Sequence, residues 1–252
     1  MKILYRIYQV VVALPLLLVL TILTALITMA GSVFNAHFWG YYPGKIWSRL
    51  VCHVLLLPVR VHGREHIDHH TSYVFVANHQ GSFDIFLVYG FLGRNFKWMM
   101  KKSLRRIPFV GRACQSAGHI FVDRSGPRKI YETIRQARAT LTGGTSLVVF
   151  PEGARTFSGH MGTFKRGAFQ LADELQLPVV PLTIDGSFDV LPRTGHWISW
   201  HPLTLTIHAP IPPQGQGPDN IQHALHTSYD AIQQALPAER KGMRPNPDQD
   251  VP

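Results

Sequence analysis

The chain has 252 residues, 46% hydrophobic and 16% charged, which suits one packed domain with appendages and excludes wholesale disorder. Lys and Arg number 25 against 15 Asp and Glu, a formal charge of +10 that favours an anionic partner: nucleic acid, a phospholipid surface or a phosphorylated substrate. Cys52 and Cys114 are the only cysteines and lack C-x-x-C or Cys/His spacing, so a disulfide scaffold is excluded and a reducing compartment is expected.

Residues 7–34 carry no charge, and 10–30 read VVVALPLLLVLTILTALITMA, about the length that crosses a hydrocarbon layer as a helix. Lys2 and Arg6 precede it as they would in a signal peptide, but the apolar run exceeds the usual signal core and a retained helix is expected. A second apolar piece, 50–58, follows Phe38, Trp39, Tyr41, Tyr42 and Trp47, aromatics suited to a lipid–water interface. The pair is expected to be a helical membrane anchor, as one true span or as a hairpin lodged in one leaflet. Lys2, Arg6, Lys45 and Arg49 flank it on both sides and leave the topology open.

From Val59 the pattern changes to short β-branched or aromatic runs alternating with helical segments, the mark of an α/β domain. Candidate strands are 59–62, 73–77, 97–100, 119–122, 146–150, 179–184 and 203–208. Helices are expected at 85–90, at 130–141, where Ile130, Ile134, Ala137 and Leu141 share one face, and at 221–236. The expected organisation is therefore membrane-anchoring helices over 1–58, an α/β domain with a mixed sheet flanked by helices over 59–236, and a Pro-containing disordered tail over 237–252.

Positive charge clusters at Arg94, Lys97, Lys101, Lys102, Arg105, Arg106 and Arg112, with no acid between Asp84 and Asp123. An anionic ligand, a lipid headgroup layer and a plain solvated face all fit that run. A nucleic-acid groove would interleave more aromatics than Phe96, Trp98 and Phe109, and no nucleic-acid module signature occurs, so no nucleic-acid partner is expected.

The strand ending at Ala77 runs into Asn78-His79-Gln80-Gly81-Ser82-Phe83-Asp84. His79 and Asp84 can meet only if the chain turns between them, as Gly81 and Ser82 permit. Asp84 would then hold one imidazole nitrogen protonated and leave the other to take a proton from a hydroxyl. The alternative is an ordinary loop hydrogen bond. A later strand runs into Pro151-Glu152-Gly153-Ala154-Arg155-Thr156 and then Phe164-Lys165-Arg166-Gly167. Glycines let backbone N–H groups approach an anion, Arg155 offers a bidentate fork for phosphate, and Lys165 adds a point charge at the expected start of a helix. A Gly-rich connector with surface cations is the plainer reading. Arg124 follows the strand His119-Ile120-Phe121-Val122-Asp123 and would emerge at a strand end, where α/β sheets bind ligands.

Together these blocks resemble the 1-acylglycerol-3-phosphate O-acyltransferases, the membrane-bound lysophosphatidic acid acyltransferases. Asn78-His79 through Asp84 is similar to the family's N-H-x-x-x-x-D block, and Gly118 through Arg124 to its second, whose final Arg contacts substrate phosphate. Phe150-Pro151-Glu152-Gly153-Ala154-Arg155-Thr156 is similar to the third, commonly F-P-E-G-T-R-S, and Val179-Val180-Pro181-Leu182 to the fourth. Ala154 and Thr156 depart from the usual Thr and Ser, which weakens any hydroxyl role there, and Gly81-Ser82-Phe83 occupies a variable stretch.

The resemblance implies a His79–Asp84 catalytic dyad. It also implies substrate contacts from Lys101, Arg124, Glu152, Gly153, Arg155 and Lys165, with the guanidiniums clamping a phosphate. The substrates implied are lysophosphatidic acid and an acyl donor, acyl-coenzyme A or acyl carrier protein, with no metal and no resident cofactor. A lipid acceptor and a cytosolic donor place the site on the bilayer, at the cytoplasmic face of the inner membrane. Other acceptors (glycerol-3-phosphate, a lyso-ornithine lipid or another lysophospholipid) share the chemistry. A non-catalytic membrane lipid-binding protein is the reading from another class.

His62, His66, His69 and His70 cluster with Glu65 and Asp68, but without H-E-x-x-H they look like a loop before a strand. No G-x-S-x-G elbow, P-loop or G-x-G-x-x-G occurs, against a serine hydrolase or nucleotide-fuelled chemistry.

Overall fold

The computed structural model describes residues 2–122, 127–141 and 143–242. Arg124 and the tail beyond Gly242 lie outside them. Seven strands, β1 (Val59–His62), β2 (Val74–Ala77), β3 (Phe96–Lys101), β4 (Ile120–Val122), β5 (Ser146–Val149), β6 (Val179–Asp185) and β7 (Leu203–Ile207), form one sheet ordered β1-β7-β6-β2-β5-β3-β4. Each expected strand is present within two residues of its expected limits. The pairs from β6 to β4 are parallel, whereas β7 lies antiparallel on β6 and takes β1 beside it in parallel. The sheet is mixed because of that reversed edge pair.

The helices are α1 (Lys2–Tyr8), α2 (Leu14–Ser32), α3 (Ala36–Trp39), α4 (Tyr42–Val54), α5 (Asp84–Phe91), α6 (Val110–Ser116), α7 (Pro127–Thr140), α8 (Gly167–Leu175), α9 (Ser187–Val190) and α10 (Pro218–Ala235). Every residue of β2 and β5 is buried, as expected for parallel strands covered on both faces. Alternation then sorts the side chains: Phe75 and Ala77 join a core with Leu87, Val88 and Val180, while Val74 and Val76 join one with Phe169, Ala172 and Ile232. One face of the sheet thus carries α4 and α5, the other α8 and α10.

A π-helical turn over Gln9–Ala13 joins α1 to α2, so Lys2–Ser32 runs as one helix, long and apolar enough to cross a membrane. Its apolar side chains face outward, with Leu14 62% and Leu18 61% exposed, which supports membrane association. The chain reverses after Ser32 and α4 returns antiparallel. The Trp47 indole N–H donates to Thr21 Oγ1 at 3.0 Å, and the Tyr8 and Tyr5 hydroxyls donate to the Val54 and Leu55 carbonyls, each at 2.7 Å. Gly31 belongs in the reversal because a Cβ there would enter the Trp39 ring. The second apolar element starts earlier than 50–58, at Tyr42, and so takes part of the aromatic cluster into its own helix.

The expected basic cluster divides. Arg94 is buried, donating to the carbonyls of Thr71 at 2.6 Å and Gly144 at 3.0 Å, and buried Lys97 donates to Ala117 O at 2.7 Å. Burial pulls the Lys97 ammonium down to about 8. Those two cations fasten the fold, and only Lys101, Lys102, Arg105, Arg106 and Arg112 stay on the surface. At the other end, the tail expected from 237 begins with packed chain. Ala238–Arg240 form a 3-10 turn, and Arg240 pairs with Asp189 at 2.6 Å and covers the Phe188 ring.

Candidate active site

Parallel strands β2 and β5 end side by side, and their C-terminal extensions build the site. Asn78, fully buried, continues β2 with its side chain: Nδ2 donates to Ile184 O and Oδ1 accepts from Ile184 N, both at 2.8 Å. This amide stands in for a peptide group and locks the start of the loop to β6.

The loop then turns around Asp84, the first residue of α5. Asp84 Oδ2 accepts three hydrogen bonds, from Gln80 N at 2.8 Å, Gly81 N at 3.0 Å and His79 Nδ1 at 2.7 Å. Asp84 is wholly buried, whereas the His79 side chain keeps 15% of its surface exposed. Gly81 is required by close approach, because a Cβ would strike the Ser187 carbonyl oxygen. With Nδ1 as donor, Nε2 of His79 carries the lone pair. The imidazole lies flat on Phe150, centroids 3.9 Å apart, and Phe150 stacks in turn on Trp98 at 5.5 Å.

Glu152 reaches across from the β5 extension. Its Oε1 accepts from His79 N at 2.7 Å and its Oε2 from Gly162 N at 2.8 Å. Burial outweighs those two bonds and raises the carboxyl to about 7, with Asp84 adding a smaller push in the same direction. The His79 carbonyl meanwhile accepts from Thr156 N at 3.0 Å, so the two loops are sewn together on both sides of the histidine.

Three cations edge this arrangement. Arg155 Nη1 donates to Ser82 Oγ within the histidine loop, and Arg193 Nη1 donates to Arg155 O at 3.1 Å. Gly153 has φ +77°, and its missing Cβ leaves room where the Lys165 ammonium would lie 3.3 Å away. The structure therefore brings His79, Asp84, Glu152, Gly153, Arg155 and Lys165 into one locus. Lys101 is exposed at the end of β3, two strands from β2, level with Val122 of β4; it is on the same edge of the sheet but outside this locus.

Several members carry no distinct signal in the sequence. Asn78 stands there only as part of a motif, because the burial that makes its amide pair with backbone appears only in the fold. Ser82 falls in a variable stretch of that motif, yet it holds Arg155. Phe150 and Trp98 fit their strands, and nothing local predicts their stacking under His79. A cavity of about 80 Å³ opens where the helical hairpin meets α6, lined by Thr21, Ala25, Trp47, Tyr89, Cys114 and His119 among others. Among the described residues no three His, Cys, Asp or Glu side chains gather as a metal site needs.

Residues 58–185, half of the chain, match the family described as Acyltransferase, and the chain belongs to that family. Its curated relatives include the 1-acyl-sn-glycerol-3-phosphate acyltransferase of Cocos nucifera, 27% identical over 203 residues, which make up 80% of this chain and 65% of that protein. The chloroplastic 1-acyl-sn-glycerol-3-phosphate acyltransferase LPAT1 of Arabidopsis thaliana is 31% identical over 173 residues, 68% of this chain and 48% of that protein. The alpha enzyme of Homo sapiens is 32% identical over 181 residues, 70% of this chain and 64% of that one. The chain thus spans roughly half to two thirds of these relatives' lengths. The fold matches the crystal structure of the 1-acyl-sn-glycerophosphate (LPA) acyltransferase PlsC from Thermotoga maritima. The TM-score is 0.69 at 23% identity, covering 87% of this chain and 94% of that one.

Proposed function

We propose that this protein transfers a fatty acyl group from acyl-coenzyme A or acyl carrier protein to the free hydroxyl of 1-acyl-sn-glycerol-3-phosphate, giving phosphatidic acid. The observation that carries the reading is the His79 Nδ1–Asp84 Oδ2 bond of 2.7 Å within a loop that also holds the Arg155 guanidinium. His79 Nε2 takes the hydroxyl proton as the acceptor oxygen attacks the thioester carbonyl. The tetrahedral intermediate then collapses by breaking the C–S bond, and the imidazolium returns the proton to the departing thiolate. No acyl-enzyme is needed, because the thiol is a good leaving group. Asp84 keeps the imidazole in the useful tautomer and stabilises its charged form.

Arg155 and Lys165 take the acceptor's phosphate, with Lys101 at the end of β3 and Arg124, outside the described residues, as further contacts. Glu152 acts through the backbone of His79 and so positions the base, while Gly153 supplies the open approach. The outward apolar face of the hairpin keeps the site against the bilayer, where the acceptor resides, and a cytosolic donor places it on the cytoplasmic face. Family membership and the activities named for the relatives support the same assignment. Acceptor competition tests it. Purified protein given oleoyl-coenzyme A and equal lysophosphatidic acid and monoacylglycerol should acylate the phosphate-bearing lipid in clear preference. Equal use of both would remove the phosphate clamp; in a parallel mixture, preference for a lyso-ornithine lipid over lysophosphatidic acid would redirect the assignment to that acceptor.

A further inference from the structure

The segment between α9 and β7, residues 191–202, joins two distant places. At its start it is stitched to the histidine loop. Ser82 N donates to Leu191 O at 3.2 Å, Gly81 and Pro192 form an isolated β-bridge, and Arg193 holds the Arg155 carbonyl. Farther along it reaches the base of the helical hairpin, where Gln9 Nε2 donates to Ile198 O at 2.8 Å and the Trp200 indole N–H donates to Leu56 O at 2.7 Å.

Trp197 is 48% exposed and Trp200 56%, on a protein whose other three tryptophans are less open. The Arg6 guanidinium lies 5.3 Å from the Trp197 ring centroid, and the helical turn that carries Arg6 also exposes Ile3, Leu4 and Ile7. Two large indoles left open beside bare aliphatic surface are costly in water. With an indole N–H already satisfied and a cation alongside, they match the headgroup level of a bilayer. The charge pattern points the same way: no Asp or Glu occurs in residues 2–64 or in 190–218, so the charged side chains of these two segments are all basic. The surface is continuous with the outward face of the hairpin.

We infer that residues 191–202 form a second lipid contact, with Trp197 and Trp200 seated among the headgroups of an anionic phospholipid leaflet, and that this contact steadies the His79–Asp84 loop. The occupant is the bilayer because exposed apolar rings, acid-free chain and continuity with the apolar helix coincide there. The inference needs no catalytic turnover, so its test is independent of the acyl-transfer reading.

The 252-residue chain is placed in vesicles of phosphatidylcholine and phosphatidylglycerol, and its tryptophan emission is compared with that of a Trp197→Phe/Trp200→Phe variant, which keeps apolar rings in both places and gives up only the Trp200–Leu56 bond. The emission lost in the variant should be quenched by a lipid carrying a doxyl group near its carbonyl end and shielded from aqueous iodide. Quenching by iodide without quenching by the doxyl lipid would put the rings in water and overturn the inference. Shielding from both would mean a protein or a second copy covers them, and would also overturn it. For the link to the site, hydrogen exchange at residues 80–82 should slow on transfer from detergent to vesicles, and that slowing should be lost in Trp197→Ala/Trp200→Ala. Unchanged exchange at residues 80–82 would refute the steadying role.

Discussion

Asp84 Oδ2 binds His79 Nδ1 at 2.7 Å while also accepting the backbone N–H groups of Gln80 and Gly81. One oxygen thus shapes the loop and aims the imidazole, so the hydrogen-bond geometry and the negative charge can be separated by mutation. Asp84→Asn with its amide oxygen in the Oδ2 position still accepts from all three donors but removes the charge that stabilises the imidazolium. Thiol release should fall by about 10³-fold or more, the scale seen when the carboxylate of such a dyad is neutralised in place. Circular dichroism and melting should change little; a variant keeping more than a tenth of the rate would disprove the need for the carboxylate charge.

Arg155 donates to Ser82 Oγ, so in the proposed reaction its guanidinium is ordered before the acceptor arrives. A charge-assisted bidentate contact is worth about 1.5–3 kcal/mol, or about 10- to 100-fold in binding. Arg155→Ala should therefore raise the KM for lysophosphatidic acid by about that factor, with a smaller loss in kcat. Ser82→Ala, which frees the guanidinium without removing it, should raise KM only a few-fold. A pure kcat effect of Arg155→Ala would place this residue elsewhere in the cycle.

Glu152 makes a pH prediction. Its carboxyl is raised from 4.5 to about 7 in the folded protein, so the native state holds this proton more tightly than the unfolded chain does. The sign follows: this group's contribution to stability is largest below pH 4.5, declines as pH rises to 7 and is flat above. Glu152→Gln removes the titration. The melting temperature of the wild type minus that of Glu152→Gln should therefore fall between pH 4.5 and 7. A difference independent of pH in that window would contradict the buried-carboxyl account. Activity should drop too, since the amide Nε2 cannot accept the second N–H.

Asn78 is predicted to matter for stability first. Asn78→Ala strands the N–H and carbonyl of Ile184 in a site without solvent, at about 1–3 kcal/mol for each group left unpaired. Thermal unfolding in detergent should show a melting temperature several degrees lower, with the KM values nearly intact in the protein that remains folded. No drop in melting temperature would mean that the amide is not the clamp described here.

The strands were legible because each is a short β-branched or aromatic run bounded by turn residues, and the site because its motifs sit where those runs stop. The strand order was not legible: alternation in β7 marks a strand, but nothing local says that it reverses on β6 and brings β1 with it. The buried role of Arg94 and Lys97 was hidden for a similar reason, since their partners are the carbonyls of Thr71, Gly144 and Ala117, and backbone carbonyls leave no trace in a residue pattern. The stack of His79 on Phe150 and Trp98 joins residues of three strand regions distant in sequence, and no local pattern marks it.

The central claim is that the imidazole of His79 removes the proton from a lipid alcohol. Its most direct test is thiol release from acyl-coenzyme A by detergent-solubilised protein supplied with lysophosphatidic acid, wild type against His79→Ala, alongside a lipid-binding measurement on both. The account predicts acceptor-dependent release by the wild type, no release above background by His79→Ala, and the same lipid affinity for the two. Release by His79→Ala at the wild-type rate would contradict it.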